Sequence, residues 1–209
     1  MRPVYVAFAG VNGAGKSTFY HTDLWRSSDM PQTMARVNSD EILVSQGGDP
    51  SSSADQLRAG REAVRLIGDH FVHRRSFNQE TTLTGRAVLR NMRHARELGY
   101  RVVLYYLGVD APDVAIERIA HRVEMGGHDI DSEVVRRRYR ASLGTLAQAL
   151  DLCDEVAVID NTIEFVTIAR WNAGTLAWAG NVSKYGTWFM NAVRDTSLWN
   201  RTATSYPLQ

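Results

Sequence analysis

Apolar residues follow two alternating patterns along the chain. Val4-Tyr5-Val6-Ala7-Phe8-Ala9 is an unbroken β-prone run stopped by Gly10. A strand without polar alternation is buried on both faces, as in a parallel sheet. Arg101 to Val109 is the strongest run of this kind, and Glu155 to Asp160 forms another. Met34–Asn38, leading into Asp40, and Ser76–Thr82 are weaker strand candidates.

Between these runs the apolar residues recur at helical spacing. A helix is expected to open near Lys16. Ser53-Ala54-Asp55-Gln56 has capping-box spacing with Gln56 at N3, and Gly60, Val64, Ile67 and Phe71 carry that helix to about His73. Thr84 can cap a helix with Val88, Leu89, Met92 and Ala95 inward and Gly99 as its stop. Asp110, with Pro112 at N1, opens a helix carrying Ile116, Ile119 and Val123, which Gly126-Gly127 breaks. Asp131 caps a further helix to about Leu150, and residues 45–53 read as a loop. Strands alternating with helices predict an α/β domain: a doubly wound, mostly parallel sheet with helices on both faces.

The pattern changes near residue 161. The core domain is read as residues 1–161, and 162–209 as an aromatic-rich extension packing on it. Residues 161–209 carry six charged side chains and four of the five tryptophans: Trp171, Trp178, Trp188 and Trp199. A strand and helix packed on the domain fit this composition, and so does an exposed aromatic surface for a partner. Thr202–Gln209 is expected to fray.

Composition excludes several classes. With 209 residues, 44% apolar and 22% charged, the chain is neither disordered, collagen-like nor a coiled coil. A net charge of +1 nominates neither nucleic acid nor an anionic membrane as partner, and no basic block exceeds three residues. Cys153 stands alone, so no internal disulfide forms and a reducing compartment is expected. The apolar run at the N-terminus is too short for a signal segment or a span, so the expected location is cytoplasmic. Only two of 24 basic residues are lysine, and one of them, Lys16, lies in a glycine-rich loop.

That loop, Gly10-Val11-Asn12-Gly13-Ala14-Gly15-Lys16-Ser17, is a full G-x-x-x-x-G-K-[ST] match between a strand and a helix. Glycines let backbone N–H groups converge into a nest for phosphate oxygens. Lys16 reaches the β- and γ-phosphates, Ser17 supplies a hydroxyl to Mg²⁺, and Thr18 is a second phosphate contact. The candidate nucleotide site is therefore Gly10, Asn12, Gly13, Ala14, Gly15, Lys16, Ser17 and Thr18 on a P-loop NTPase core, with ATP and Mg²⁺ as expected cofactors. No Asn-Lys-x-Asp guanine-reading motif occurs.

Phosphoryl transfer needs a carboxylate to take the acceptor's proton. Asp40, after the second strand candidate, is best placed, because chemistry collects at the carboxyl ends of strands; it could equally cap the helix that follows. Glu80, in Gln79-Glu80-Thr81-Thr82, ends another strand and can orient the acceptor or help place the metal. Arginines neutralise developing charge, often from a lid. Gly126-Gly127 is a candidate hinge, with Arg122 before it and Arg136-Arg137-Arg138 and Arg140 after it. His128 in the same loop is a candidate phosphate donor.

These features together resemble the zeta toxin family of P-loop kinases. The motifs are Gly10–Ser17, Asn38-Ser39-Asp40, Glu80-Thr81-Thr82, the Gly99-to-Leu107 strand, and Arg122–Arg138 with its Gly-Gly-His-Asp. The resemblance covers residues 3–161 and points to a short, single-domain branch. It implies ATP-dependent phosphorylation of a sugar hydroxyl, in the toxins that of UDP-N-acetylglucosamine. It implies Asp40 as catalytic base, Glu80 as a substrate-binding glutamate and Arg122 as a phosphate-facing arginine; Thr81 and His128 are further substrate-side candidates. The toxins have a longer lid with a second arginine; here the lid shortens to Met125–Ile130, and Arg137 is expected to substitute from the helix. Expected partners are a small-molecule hydroxyl substrate and either an antitoxin or a second copy. A reading from another class is an ATP-binding interaction protein that docks a partner through its lid or aromatic tail.

Overall fold

β1 (Val4–Ala9) is the central strand, and all six of its residues are buried. In the computed structural model, which describes residues 2–193, it pairs in parallel with β3 (Phe77–Thr81) on one side and β4 (Arg101–Gly108) on the other. β2 (Ala35–Val37) joins β3 and β5 (Glu155–Asp160) joins β4, again in parallel. Two antiparallel strands, β6 (Val166–Asn172) and β7 (Thr175–Ala179), complete a seven-stranded sheet of order β2-β3-β1-β4-β5-β6-β7. The expected mostly parallel α/β sheet is thus the observed one.

Among the described residues eight helices connect and flank the strands: α1 (Lys16–His21), α2 (Ser39–Ser45), α3 (Ser53–Val72), α4 (Arg86–Glu97), α5 (Pro112–Glu124), α6 (Ser132–Leu150), α7 (Val182–Tyr185) and α8 (Thr187–Val193). The alternation of side chains along β1 feeds two cores. Tyr5, Ala7 and Ala9 pack with Phe71, Phe77, Leu104 and Leu146 on one face. Val6 and Phe8 pack with Phe19, Trp25, Ile119 and Val135 on the other. The chain leaves β1 towards β2 on one side and reaches β4 on the other, so the end of β1 is a topological switch point.

Several helix starts differ from the sequence expectation. Ser52, one residue before Ser53, caps α3 by accepting from Asp55 N, since only its backbone is extended there. Gly85 rather than Thr84 precedes α4, and the Thr84 hydroxyl bonds Thr82 Oγ1 at 2.9 Å instead. Ala111 rather than Asp110 occupies the N-cap of α5, with Pro112 at N1. Asp131 caps α6 as expected, accepting from Glu133 N and Val134 N.

The C-terminal stretch adds a hairpin to the sheet, turning at Ala173-Gly174, both with positive φ. Trp171 and Trp188 are buried in the core, whereas Trp178 is 44% exposed. Truncating a buried aromatic costs about 3–5 kcal/mol, so these two tryptophans fasten the stretch firmly. Trp199 and Thr202–Gln209 lie outside the described residues. Among the described residues no helix is long and apolar enough to cross a membrane.

Candidate active site

The loop between β1 and α1 turns on left-handed glycines. At Gly15, φ is +88°, and a Cβ would lie 2.2 Å from Asn161 Nδ2. At Gly13, φ is +81°, and a Cβ would lie 2.5 Å from the Ala115 carbonyl oxygen. Side chains are excluded at both positions, which lets neighbouring elements close on the loop. Asn161, just past β5, donates to the Ala14 carbonyl at 2.9 Å and supports the loop from beneath.

Lys16 is 6% exposed, and its Nζ donates to the Val11 carbonyl at 3.1 Å. Burial pulls its ammonium below the ordinary lysine range; Glu80 first and Asp40 second oppose this, while Arg122 and Arg138 reinforce it. One buried amine therefore feels two carboxylates and two guanidinium groups drawn from four different segments of the chain.

Glu80 is the hub of the site. Ser17 Oγ donates to its Oε2 at 2.9 Å, Arg36 Nη2 at 2.6 Å and Asn38 Nδ2 at 3.1 Å. Lys16 Nζ lies 3.8 Å from Oε1. Asp40 lies in the first turn of α2, exposed to solvent, and its N–H donates to Asn38 Oδ1 at 2.9 Å. Asn38, not Asp40, is thus the N-cap of α2, and the Asp40 carboxylate is not consumed by capping.

Among the arginines, Arg122 Nη2 donates to the His128 carbonyl at 2.7 Å, across the Gly126-Gly127 turn. Arg138 Nη1 donates to Asn12 Oδ1 at 2.9 Å. Arg136 pairs with Asp113 at 2.6 Å and Glu133 at 3.1 Å. Arg137 is exposed, and the guanidinium of this cluster that meets the loop is that of Arg138. Consecutive helical residues are about 100° apart, so the neighbour of an inward residue points elsewhere. His128 and Thr18 are exposed at the edges of the site. Thr81 Oγ1 accepts from Leu83 N at 3.1 Å, supporting the turn where Leu83 takes φ +56°.

Two further residues belong to this constellation, Arg36 and Asn161, while Asn38 and Arg138 stand in motifs already named and gain their partners here. Arg36 comes from a segment whose sequence names neither facing nor partner. Asn161 follows a β-strand directly, the place where ligand-side residues gather in α/β sheets, and that position was its one available signal.

A glycine-cornered nest, a buried lysine and a serine hydroxyl after the first strand of a parallel sheet define a P-loop nucleotide-binding domain. The chain belongs to the AAA domain family, whose model matches residues 6–148. An uncharacterized protein of Haemophilus influenzae is 33% identical over 136 residues, 64% of this chain and 91% of its own length. Among solved structures, a chain of the AvrRxo1-ORF1:-ORF2 complex with ATP matches with a TM-score of 0.69 at 16% identity, over 90% of this chain. This chain spans 64% of that one. A chain of the PezAT chromosomal toxin–antitoxin system of Streptococcus pneumoniae matches with a TM-score of 0.60 at 15% identity, covering 79% of this chain and 70% of that one. These likenesses share the fold.

Proposed function

We propose that the protein is an ATP-dependent kinase that transfers the γ-phosphoryl group to a hydroxyl of a small molecule. The observation that carries this reading is the contact of Glu80, on β3, with Ser17 Oγ at 2.9 Å and Lys16 Nζ at 3.8 Å, beside which Asp40 in the first turn of α2 acts on the same buried ammonium. The loop amides and Lys16 hold the phosphates. Ser17 Oγ and the Glu80 carboxylate, 2.9 Å apart, are hard oxygen donors of the kind that suit Mg²⁺. Mg²⁺ held there would screen the charge of the phosphates.

Asp40 takes the proton of the acceptor hydroxyl, its carboxylate being exposed and free of capping duty. Glu80, together with Thr81 next to it on β3 and His128 in the loop between α5 and α6, orients the acceptor. Arg122 and Arg138 meet the charge that develops on the leaving phosphate; Arg138 takes the part assigned to Arg137 by resemblance. A nucleotide sugar such as UDP-N-acetylglucosamine is the first acceptor to test. The PezAT likeness supports testing an antitoxin as partner.

The test is transfer of labelled phosphate from Mg²⁺-ATP to a panel of sugar nucleotides and hydroxylated metabolites. Asp40→Asn is expected to abolish transfer and to leave ATP affinity within about threefold, a change under 1 kcal/mol. A wild-type chain that labels no acceptor in a broad panel, or an Asp40→Asn variant with full activity, overturns the proposal.

A further inference from the structure

The position of Glu80 contains a conflict. Its carboxylate lies beside Lys16, whose charge the loop needs for phosphate. Left to itself, a largely covered carboxylate 3.8 Å from a buried ammonium closes that gap, because two charges screened little by water attract strongly. The lysine would stay protonated, but its charge would be engaged by its own protein instead of by phosphate.

Arg36 stands on the other side of this carboxylate. Parallel pairing sets Arg36 opposite Asn78, and Asn78 and Glu80, two residues apart on β3, share a face. Arg36 Nη2 donates to Glu80 Oε2 at 2.6 Å, much closer than Lys16 comes to Oε1. The guanidinium is itself fixed from three other directions. Its Nε donates to Glu41 Oε1 at 2.7 Å and its Nη1 to Asn78 Oδ1 at 3.4 Å, and the plane lies over the Tyr20 ring at 3.9 Å. The Arg36 side chain is 10% exposed, so it holds this place within the packing and does not sample solvent. A planar fork that binds two carboxylates and stacks on a ring is a task for arginine, not lysine.

We propose that Arg36 is a positioning residue that draws Glu80 away from Lys16 and so keeps the Lys16 charge available to phosphate. The inference rests on the nucleotide-binding part of the reading above and is independent of the acceptor and of phosphoryl transfer. A residue with only a structural role would weaken the site whatever stands at position 80. Arg36 acting through Glu80 has a different signature: the damage caused by its loss disappears when Glu80 loses its charge.

The experiment measures ATP affinity in EDTA by calorimetry for the full chain, with thermal melts as a folding control. Arg36→Met is expected to weaken metal-free ATP binding about tenfold, the equivalent of 1.4 kcal/mol. Adding Glu80→Gln to Arg36→Met is expected to restore the affinity to within about threefold of wild type. Arg36→Gln serves in the same two backgrounds if the methionine variant does not fold. Equal affinity of Arg36→Met and wild type, or a double variant as weak as the single one, overturns the inference and leaves the kinase proposal standing. A wild-type chain that binds ATP and labels no acceptor sinks the kinase proposal alone. A wild-type chain that binds no ATP overturns both.

Discussion

Arg138 on α6 donates from Nη1 to Asn12 Oδ1 at 2.9 Å, tying the helix after the Gly126-Gly127 turn to the phosphate loop. A charged donor anchored on the phosphate loop is placed to stabilise charge that would grow in the proposed transfer. Arg138→Ala is expected to lower kcat roughly 100- to 1,000-fold, in line with the loss of one such donor. Arg137→Ala, on the exposed side, is expected to keep most of the activity. Steady-state kinetics on both variants decides between neighbouring arginines.

The backbone at Gly15 leads to a prediction on stability. Alanine there meets a left-handed φ, costing about 1–2 kcal/mol, and a contact of 2.2 Å with Asn161 Nδ2. The contact adds about 1–3 kcal/mol, the usual cost of overpacking. Gly15→Ala should unfold at clearly lower denaturant and lose nucleotide affinity, as read by urea melts and ATP titration. Gly60→Ala, in the middle of α3 with open space around it, should do neither.

The phosphate loop and most of the parallel sheet are legible in the sequence because each rests on local pattern: a spaced motif, unbroken β-prone runs, and glycine or proline at helix ends. What was not legible depends on facing and register. Three arginines in a row carry no phase, so the choice of Arg138 over Arg137 needs the packing of α6, with Val135 buried on one core. Arg36 reads as a strand residue of no particular interest until β2 is set against β3. The β6–β7 hairpin turns at Ala173-Gly174, where alanine itself takes φ +48°, and alanine is not a turn signal. Helix starts differ by a residue because Ser52 caps α3 in place of Ser53, while α4 and α5 begin after Gly85 and Ala111 with no side-chain cap, which a search for capping residues does not find.

His70 gives a pH dependence. Its ring stacks on Phe77 with centroids 5.0 Å apart, and its Nδ1 is buried without a hydrogen-bond partner. Burial holds its pKa below the ordinary histidine value, with Arg75 adding to the effect and Asp69 opposing it. The folded state therefore favours the neutral ring, and the unfolded chain binds the proton more readily. Stability is complete above the unfolded pKa and falls as pH drops through it towards the lower folded value. Melting temperatures should decline from pH 7.5 to 5.5 in wild type, and more gently in His70→Phe. Equal slopes would show that His70 carries none of this dependence.

Trp188 tests how the C-terminal stretch is attached. Its Nε1 donates to Asp160 Oδ1 at 2.8 Å, and Asp160 is buried and also takes both donors of Thr162. Trp188→Phe keeps most of the ring and removes one donor from a buried carboxylate. The expected loss is about 1–3 kcal/mol of stability, seen as a lower midpoint in chemical denaturation with an unchanged slope.

The two halves of α6 belong to different interiors: Val135 lies against one side of the sheet, and Leu146, Ala149 and Leu150 lie against the other. A rod clamped at both sides of a wall cannot swing as a whole without tearing one of its seats. Movement on this side of the phosphate loop is thereby left to the six residues from Met125 to Ile130, which join α5 to α6. Were the chain to enclose an acceptor, this edge of the site would have only that short stretch to do it with.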